Sequence, residues 1–186
     1  MIEKLSIGLP VYNEISYIEK TLNSILNQSF KFYELVIVDN CSEDGTYEFL
    51  QKYSKKDNRI KLFRNKKNLG LVENYNKAFK YSSGDFFSWI GAHDLYHKDY
   101  FKTLINKLLS NSSNSLVFSN ITKINKDNKI MLKKKNTGFQ LLSKNIIIRN
   151  LLMPFYIKGS GDMVCGIFRS KDLNKTNLFS KKSFKS

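Results

Sequence analysis

The chain has 186 residues, 41% apolar and 25% charged, with 31 Lys+Arg against 16 Asp+Glu and a formal charge of +15. Length and apolar fraction allow one ordinary core and exclude a disordered chain. Two cysteines, Cys41 and Cys165, exclude a disulfide framework or a Cys/His zinc site, and no stretch approaches the ~20 apolar residues of a membrane span.

Leu5-Ser-Ile-Gly-Leu-Pro-Val11 reads as a buried strand that stops at Pro10. Over 14–28 the period changes: Ile15, Ile18, Leu22, Ile25 and Leu26 fall on one helical face. Glu34 to Val38 is a short continuous apolar run, as in a central parallel strand covered on both faces, and ends in Asp39-Asn40. Ser42-Glu-Asp-Gly-Thr46 supplies cap and turn chemistry before a helix over 45–55. Arg59 to Phe63 is a third strand, Gly70 to Ser82 a helix, and Phe86 to Ile90 a fourth strand running into Gly91-Ala-His-Asp94. A helix follows over 98–110. Beyond it, Ser115 to Asn125 reads as a strand that 128–133 pairs through the Lys126-Asp-Asn128 turn. Phe139 to Leu152 reads as a helix, Met163 to Phe168 as a strand, and 171–186 as a basic, loose tail.

Strand–helix alternation repeated four times in 1–110 specifies an α/β fold with a mostly parallel sheet flanked by helices. Ligands of such sheets bind at the carboxyl ends of the strands, where chain order reverses. Four polar clusters fall at those ends: Pro10 to Glu14, Asp39 to Ser42, Asn65 to Gly70 and His93-Asp94. Singly, each has a plain explanation: a helix cap, a turn, a packed histidine. Together they point to one rim.

Charge is unevenly placed. Residues 1–94 carry 13 basic and 12 acidic residues, and residues 95–186 carry 18 and 4. Lys outnumbers Arg 27 to 4. Such a Lys, Asn and Ser bias is read first as a matter of base composition, and its functional reading is attraction to an anionic membrane leaflet, a nucleic acid or an acidic substrate. The scarcity of Arg counts against sequence-specific nucleic-acid reading, which favours Arg forks. Met1-Ile2-Glu3-Lys4 lacks the pattern of a secretion signal, so the expected compartment is the cytosol.

The segment IGLPVYNEISYIEKTLNSILNQSFKFYELVIVDNCSEDGT resembles the start of glycosyltransferase family 2 domains, which have the nucleotide-sugar-binding GT-A fold. NKKNLGLVENYNKAFKYSSGDFFSWIGAHD is similar to the family's Asn-x-Gly helix start and the Gly-Asp-strand-acidic motif behind it, and GIFRSKDL resembles a later strand. The resemblance implies a GT-A domain over 1–170, with a donor part at 1–110 and a partial acceptor part at 111–170. It implies an inverting transfer of sugar from a nucleoside-diphosphate sugar to a glycan or lipid-linked acceptor. Pro10, Val11 and Tyr12 would line a base pocket, Glu14 would lie near the ribose, and Asp39 would accept the base N–H. Asn68, Gly70 and, less strongly, Arg64 would face the phosphates. Asp94, with His93 as a second ligand or as a contact to ribose or phosphate, would hold Mn2+ or Mg2+.

Two departures stand out. The family's usual Asp-x-Asp is here Gly91-Ala92-His93-Asp94, with one carboxylate. A general base in the family's later motif is not recognisable, and Asp162, flanked by Gly159-Ser-Gly161, is the best candidate. The usual acceptor and base segment is therefore expected to be missing. A catalytically inactive or truncated nucleotide-sugar-binding module is the second reading, and a nucleic-acid-binding protein using the basic half the third.

Overall fold

The computed structural model describes residues 3–125, 129–134 and 165–179. Two compact units divide the chain: 1–117 with 165–186, and 118–164.

The first unit begins with four strand–helix repeats: β1 (Leu5–Val11), α1 (Ile18–Leu26), β2 (Tyr33–Asp39), α2 (Thr46–Ser54), β3 (Ile60–Arg64), α3 (Leu71–Lys80), β4 (Phe86–Trp89) and α4 (Tyr100–Leu109). β5 (Leu116–Val117) follows. After residue 164 come β8 (Ile167–Arg169) and a short helix α5 (Ser170–Leu173). The sheet order is β3-β2-β1-β4-β8-β5. β3, β2, β1 and β4 run parallel, whereas β8 lies antiparallel to both β4 and β5. This is the expected α/β architecture. Chain order reverses at β1, so the topological switch point lies between β1 and β4.

The strands form where they do because both faces are covered. Every residue of β1 and of β2 is buried. On α1, Ile18, Leu22 and Ile25 are fully buried at i, i+4 and i+7, which turns one stripe onto the sheet. Gly8 sits in mid-strand because there is no room for more: a Cβ there would come 2.5 Å from Phe87 Cζ and 3.1 Å from Ala78 Cβ of α3.

Several boundaries differ from the sequence reading. β1 does not stop at Pro10, which pairs in register with Val38. Gly8 O accepts from Ile90 N, so Pro10, two residues on, points the same way, past the last β1–β4 pair of Gly8 with Trp89. The N–H that proline lacks had no ladder partner there. α1 starts at Ile18 because the Glu14 carbonyl closes a turn onto the Tyr17 and Ile18 amides, which leaves Ile15 exposed rather than on the helical face. The strand expected over 115–125 is two strands in two sheets, β5 and β6 (Ile121–Ile124), with Phe118-Ser119-Asn120 between them. Ser170–Leu173 is helical, and the tail beyond it packs through Phe179. Asn76 clamps Phe179 at both ends, its Nδ2 donating to Phe179 O (2.9 Å) and its Oδ1 accepting from Phe179 N (3.2 Å). The Phe179 ring lies 4.9 Å from Trp89 and 5.8 Å from Tyr75. The helix expected over 139–152, the start of the strand expected over 163–168, and Asp162 lie outside the described residues.

In the second unit, β6 (Ile121–Ile124) and β7 (Ile130–Lys134) form a two-stranded antiparallel sheet. Ile124 pairs with Ile130 and Lys123 with Leu132, so Met131 is an extra residue, a bulge.

Candidate functional site

The loops after β1 and β2 are laced together by backbone N–H groups that need partners outside any helix or ladder. Asn13, at φ 55°, donates its N–H to Ser42 Oγ (3.0 Å) and accepts the Glu43 N–H on Oδ1 (3.0 Å). Glu14 N donates to Thr46 Oγ1 (2.9 Å) and Ile15 N to Asp44 Oδ2 (3.0 Å). Burial pushes the Asp44 carboxyl up, but hydrogen bonds from the Thr46 hydroxyl and the Ile15 and Thr46 amides outweigh it and hold it below the usual range. Pro10 and Val11 are buried in β1, and Tyr12 is 44% exposed at the strand's end.

Asp39 closes β2 and is fully buried. Its Oδ2 accepts the Ser42 N–H (3.1 Å) and lies 3.3 Å from Arg64 Nε. Its Oδ1 is buried and has no hydrogen-bond partner among the described residues. A buried carboxylate oxygen left without a donor is rare, and an incoming N–H would satisfy it. Arg64 is directed at Asp39: its Nη2 donates to Ser42 O (2.8 Å), and its guanidinium lies 4.3 Å from the Tyr47 ring centroid.

Behind these loops lies an amide cluster: Asn40, Asn65 and Asn68 come from stretches that the sequence places at the rim, whereas Asn74 and Lys77 were not foreseen. Asn40 Oδ1 accepts from Leu69 N and from Asn65 Nδ2, both at 2.9 Å. Asn65 Nδ2 also donates to Asn74 Oδ1 (2.9 Å), and Lys77 donates to Asn65 Oδ1 (2.7 Å). Asn74, on α3, donates to Val38 O (3.0 Å). Asn68, an exposed residue, accepts on its Oδ1 from Asn40 Nδ2 and from Gly70 N, both at 2.8 Å. Gly70 takes φ +83°, a conformation that L side chains rarely adopt, and α3 begins at the next residue. The amide network thus ties the first turn of α3 to the ends of β2 and β3.

Across the switch point, His93 Nδ1 lies 3.2 Å from Glu14 Oε1, linking the loops after β4 and β1. The Tyr17 ring meets the imidazole edge-on at 6.4 Å. Asp94 folds back over Gly91, whose backbone has space for the carboxylate only because it carries no Cβ. Tyr75 of α3, also not foreseen, is pushed up to about 12 by burial and then by the negative charges of Cys165, Asp94 and Glu14, so its hydroxyl stays a donor. Trp89 is buried and donates its indole N–H to Tyr75 O (2.9 Å).

The geometry therefore brings Glu14 to His93, Asp39 to Arg64, and Asn68 to Gly70, all at the carboxyl edge of the parallel strands. Asp39 and Asp94 share no direct contact; β1 separates the strands that carry them. Among the described residues no group of three or more His, Cys, Asp or Glu is arranged to hold a metal. One carboxylate, Asp94, still suits an ion of the Mg2+ or Mn2+ kind whose other ligands come from substrate phosphates and water.

Comparison with known proteins places the fold and the family. The chain is 31% identical over 162 residues to the UDP-Glc:alpha-D-GlcNAc-diphosphoundecaprenol beta-1,3-glucosyltransferase WfgD of Escherichia coli, a match covering 81% of this chain and 62% of that protein. The crystal structure of S. aureus TarS 1-349 in complex with UDP has the same fold, with TM-score 0.76 and 23% identity over 98% of this chain and 52% of that one. The mannosyltransferase PcManGT from Pyrobaculum calidifontis in complex with GDP-Man and Mn2+ matches at TM-score 0.69 and 17% identity, over 97% of this chain and 48% of that one. The chain thus spans less than two thirds of these relatives. Glycosyl transferase family 2 matches residues 6–176, nearly the whole of the sequence, and the chain belongs to that family.

Proposed function

We propose that the chain binds a nucleoside-diphosphate sugar at the carboxyl edge of β1, β2 and β4 and transfers the sugar, with inversion, to a glycan or lipid-linked acceptor. The observation that carries this reading is Asp39, a buried carboxylate with one oxygen held by Arg64 and Ser42 and the other without a donor. In this reading Oδ1 accepts the ring N–H of the nucleotide base. Pro10, Val11 and Tyr12 wall the base, and Glu14 faces the ribose. The Asn68–Gly70 turn and the N-terminus of α3 face the diphosphate, where backbone N–H groups and the helix dipole favour anions. Arg64, engaged with Asp39, acts on the base side rather than on the phosphates.

Asp94, with His93 beside it, would hold Mn2+ or Mg2+, which when bound neutralises charge on the diphosphate. The acceptor hydroxyl loses its proton to a carboxylate, for which Asp162 is the candidate, and its oxygen forms the new bond to the anomeric carbon as the bond to phosphate breaks on the opposite face. Uridine donors are supported by TarS, whose structures are in complex with UDP and with UDP-GlcNAc, and a lipid-linked acceptor by WfgD. A second reading, donor binding without turnover, is favoured by the single carboxylate of Gly91-Ala92-His93-Asp94.

Calorimetric titration with UDP-glucose, UDP-GlcNAc and GDP-mannose, with and without Mn2+, tests the donor site. Asp39→Ala is expected to weaken binding at least about tenfold, the loss of a charge-assisted hydrogen bond. Unchanged binding rejects the base contact. Donor hydrolysis or transfer that disappears in Asp94→Asn supports the enzyme, and donor binding with no turnover in the parent chain supports the inactive module.

A further inference from the structure

We propose that the β6–β7 hairpin is a docking element for an anionic lipid surface. Ile124 and Ile130 stand opposite each other in the ladder and are 41% and 60% exposed, and the bulge residue Met131 is 71% exposed. Three large aliphatic side chains close together in a two-stranded ribbon are thus open to water, although such ribbons are stabilised mainly by covering one face. Lys123 and Lys129 are exposed beside them. Between residues 121 and 135 the sequence has six lysines and one acidic residue.

Charge and side-chain type select the partner. Lysines are compact point charges that suit scattered headgroup phosphates. Aliphatic side chains suit the layer beneath those headgroups, and stable attachment to a bilayer takes such an apolar contact together with a basic patch. A nucleic acid offers the phosphates but no aliphatic layer, and its exposed bases are gripped by aromatic rings. No aromatic residue occurs between 119 and 138.

The test uses the full chain and vesicles of phosphatidylcholine alone or with one third phosphatidylglycerol. Co-sedimentation is expected with the anionic vesicles, at least about tenfold weaker with the neutral ones, and reduced by salt that shortens the screening length. In the double variant Ile130→Glu/Met131→Glu it falls at least about tenfold, while UDP-sugar binding is unchanged because none of these residues belongs to the nucleotide site. Met131→Trp reports the contact directly: its emission shifts to the blue on anionic vesicles, above the constant background of buried Trp89. Equal sedimentation of the parent and the Glu variant, an unshifted Met131→Trp spectrum, or tighter binding to duplex DNA than to the anionic vesicles overturns the proposal.

Discussion

Arg64 lies 25 residues from Asp39 in sequence and 3.3 Å from it in space. The pair explains why a fully buried carboxylate is tolerated at the end of β2: one oxygen faces a cation and an amide, which offset the cost of leaving water. Arg64→Met should destabilise the protein by about 2 kcal/mol, less than for a fully enclosed pair because 36% of the arginine side chain is exposed. Donor affinity should fall with it, and differential scanning with titration of the same sample measures both. At the opposite edge of the sheet, Glu34 is nearly enclosed and collects Lys4, Lys61, Ser6 and Ser83. Burial pushes its carboxyl up, yet these hydrogen bonds prevail and hold it at about 2, against an ordinary 4.5. A carboxyl lowered on folding contributes stability that is full above pH 4.5 and is lost as pH falls through the interval down to about 2. Glu34→Gln should therefore lower the melting temperature at neutral pH and flatten its acid dependence between those values, as thermal melts across the range will record.

At the scale of elements, α3 is held at its start by amides rather than by a side-chain cap. Asn74 connects it to Val38 of β2 and to Asn65 after β3, and Lys77 joins it at Asn65. Asn74→Ala would leave a buried carbonyl and a buried amide short of a partner, a cost of about 2 kcal/mol, and would loosen the turn at Gly70. Denaturant midpoints should show the loss, and calorimetry a weaker diphosphate contact. This network also marks where sequence reading gives out. β1, β2 and α1 are legible because continuous burial and the 3.6 period write themselves into local apolar runs such as Leu35 to Val38 and Ile18, Leu22, Ile25. The bonding of the four asparagines to one another is not, because the chain has 20 Asn and their mutual spacings, up to 34 residues, follow from the crossing of strands. Asp39, His93 and Asp94 could be placed at strand ends from topology alone. Their pairings could not: Asp39 with Arg64 and His93 with Glu14 join separate loops, and Tyr75 comes from α3. β8 was partly visible as an apolar run, but its antiparallel place between β4 and β5 rests on pairings some 50 to 80 residues apart, such as Leu116 with Phe168 and Phe86 with Arg169.

For the molecule as a whole, the described end of the chain belongs to the first unit. Phe179 closes an aromatic group with Trp89 and Tyr75, and Asn76 fixes its backbone from both sides. Phe179→Ala should cost about 2 kcal/mol, under the usual core value because the ring is only half-buried, and urea unfolding measures it. Tyr75 would move first, so the same variant should weaken donor binding more than a remote substitution of equal stability cost. The segment between the two parts of this unit is bounded by neighbours: Val117 of β5 and Ile167 of β8 face each other in the ladder. Everything from 118 to 164 leaves and rejoins the sheet through that one adjacent pair. Lengthening such an excursion adds only slowly to the entropy of closing it, since the cost grows with the logarithm of its length. The doorway formed by Val117 and Ile167 is thus a natural splice point, where evolution or a protein engineer can exchange one inserted segment for another while the parallel strands keep their register.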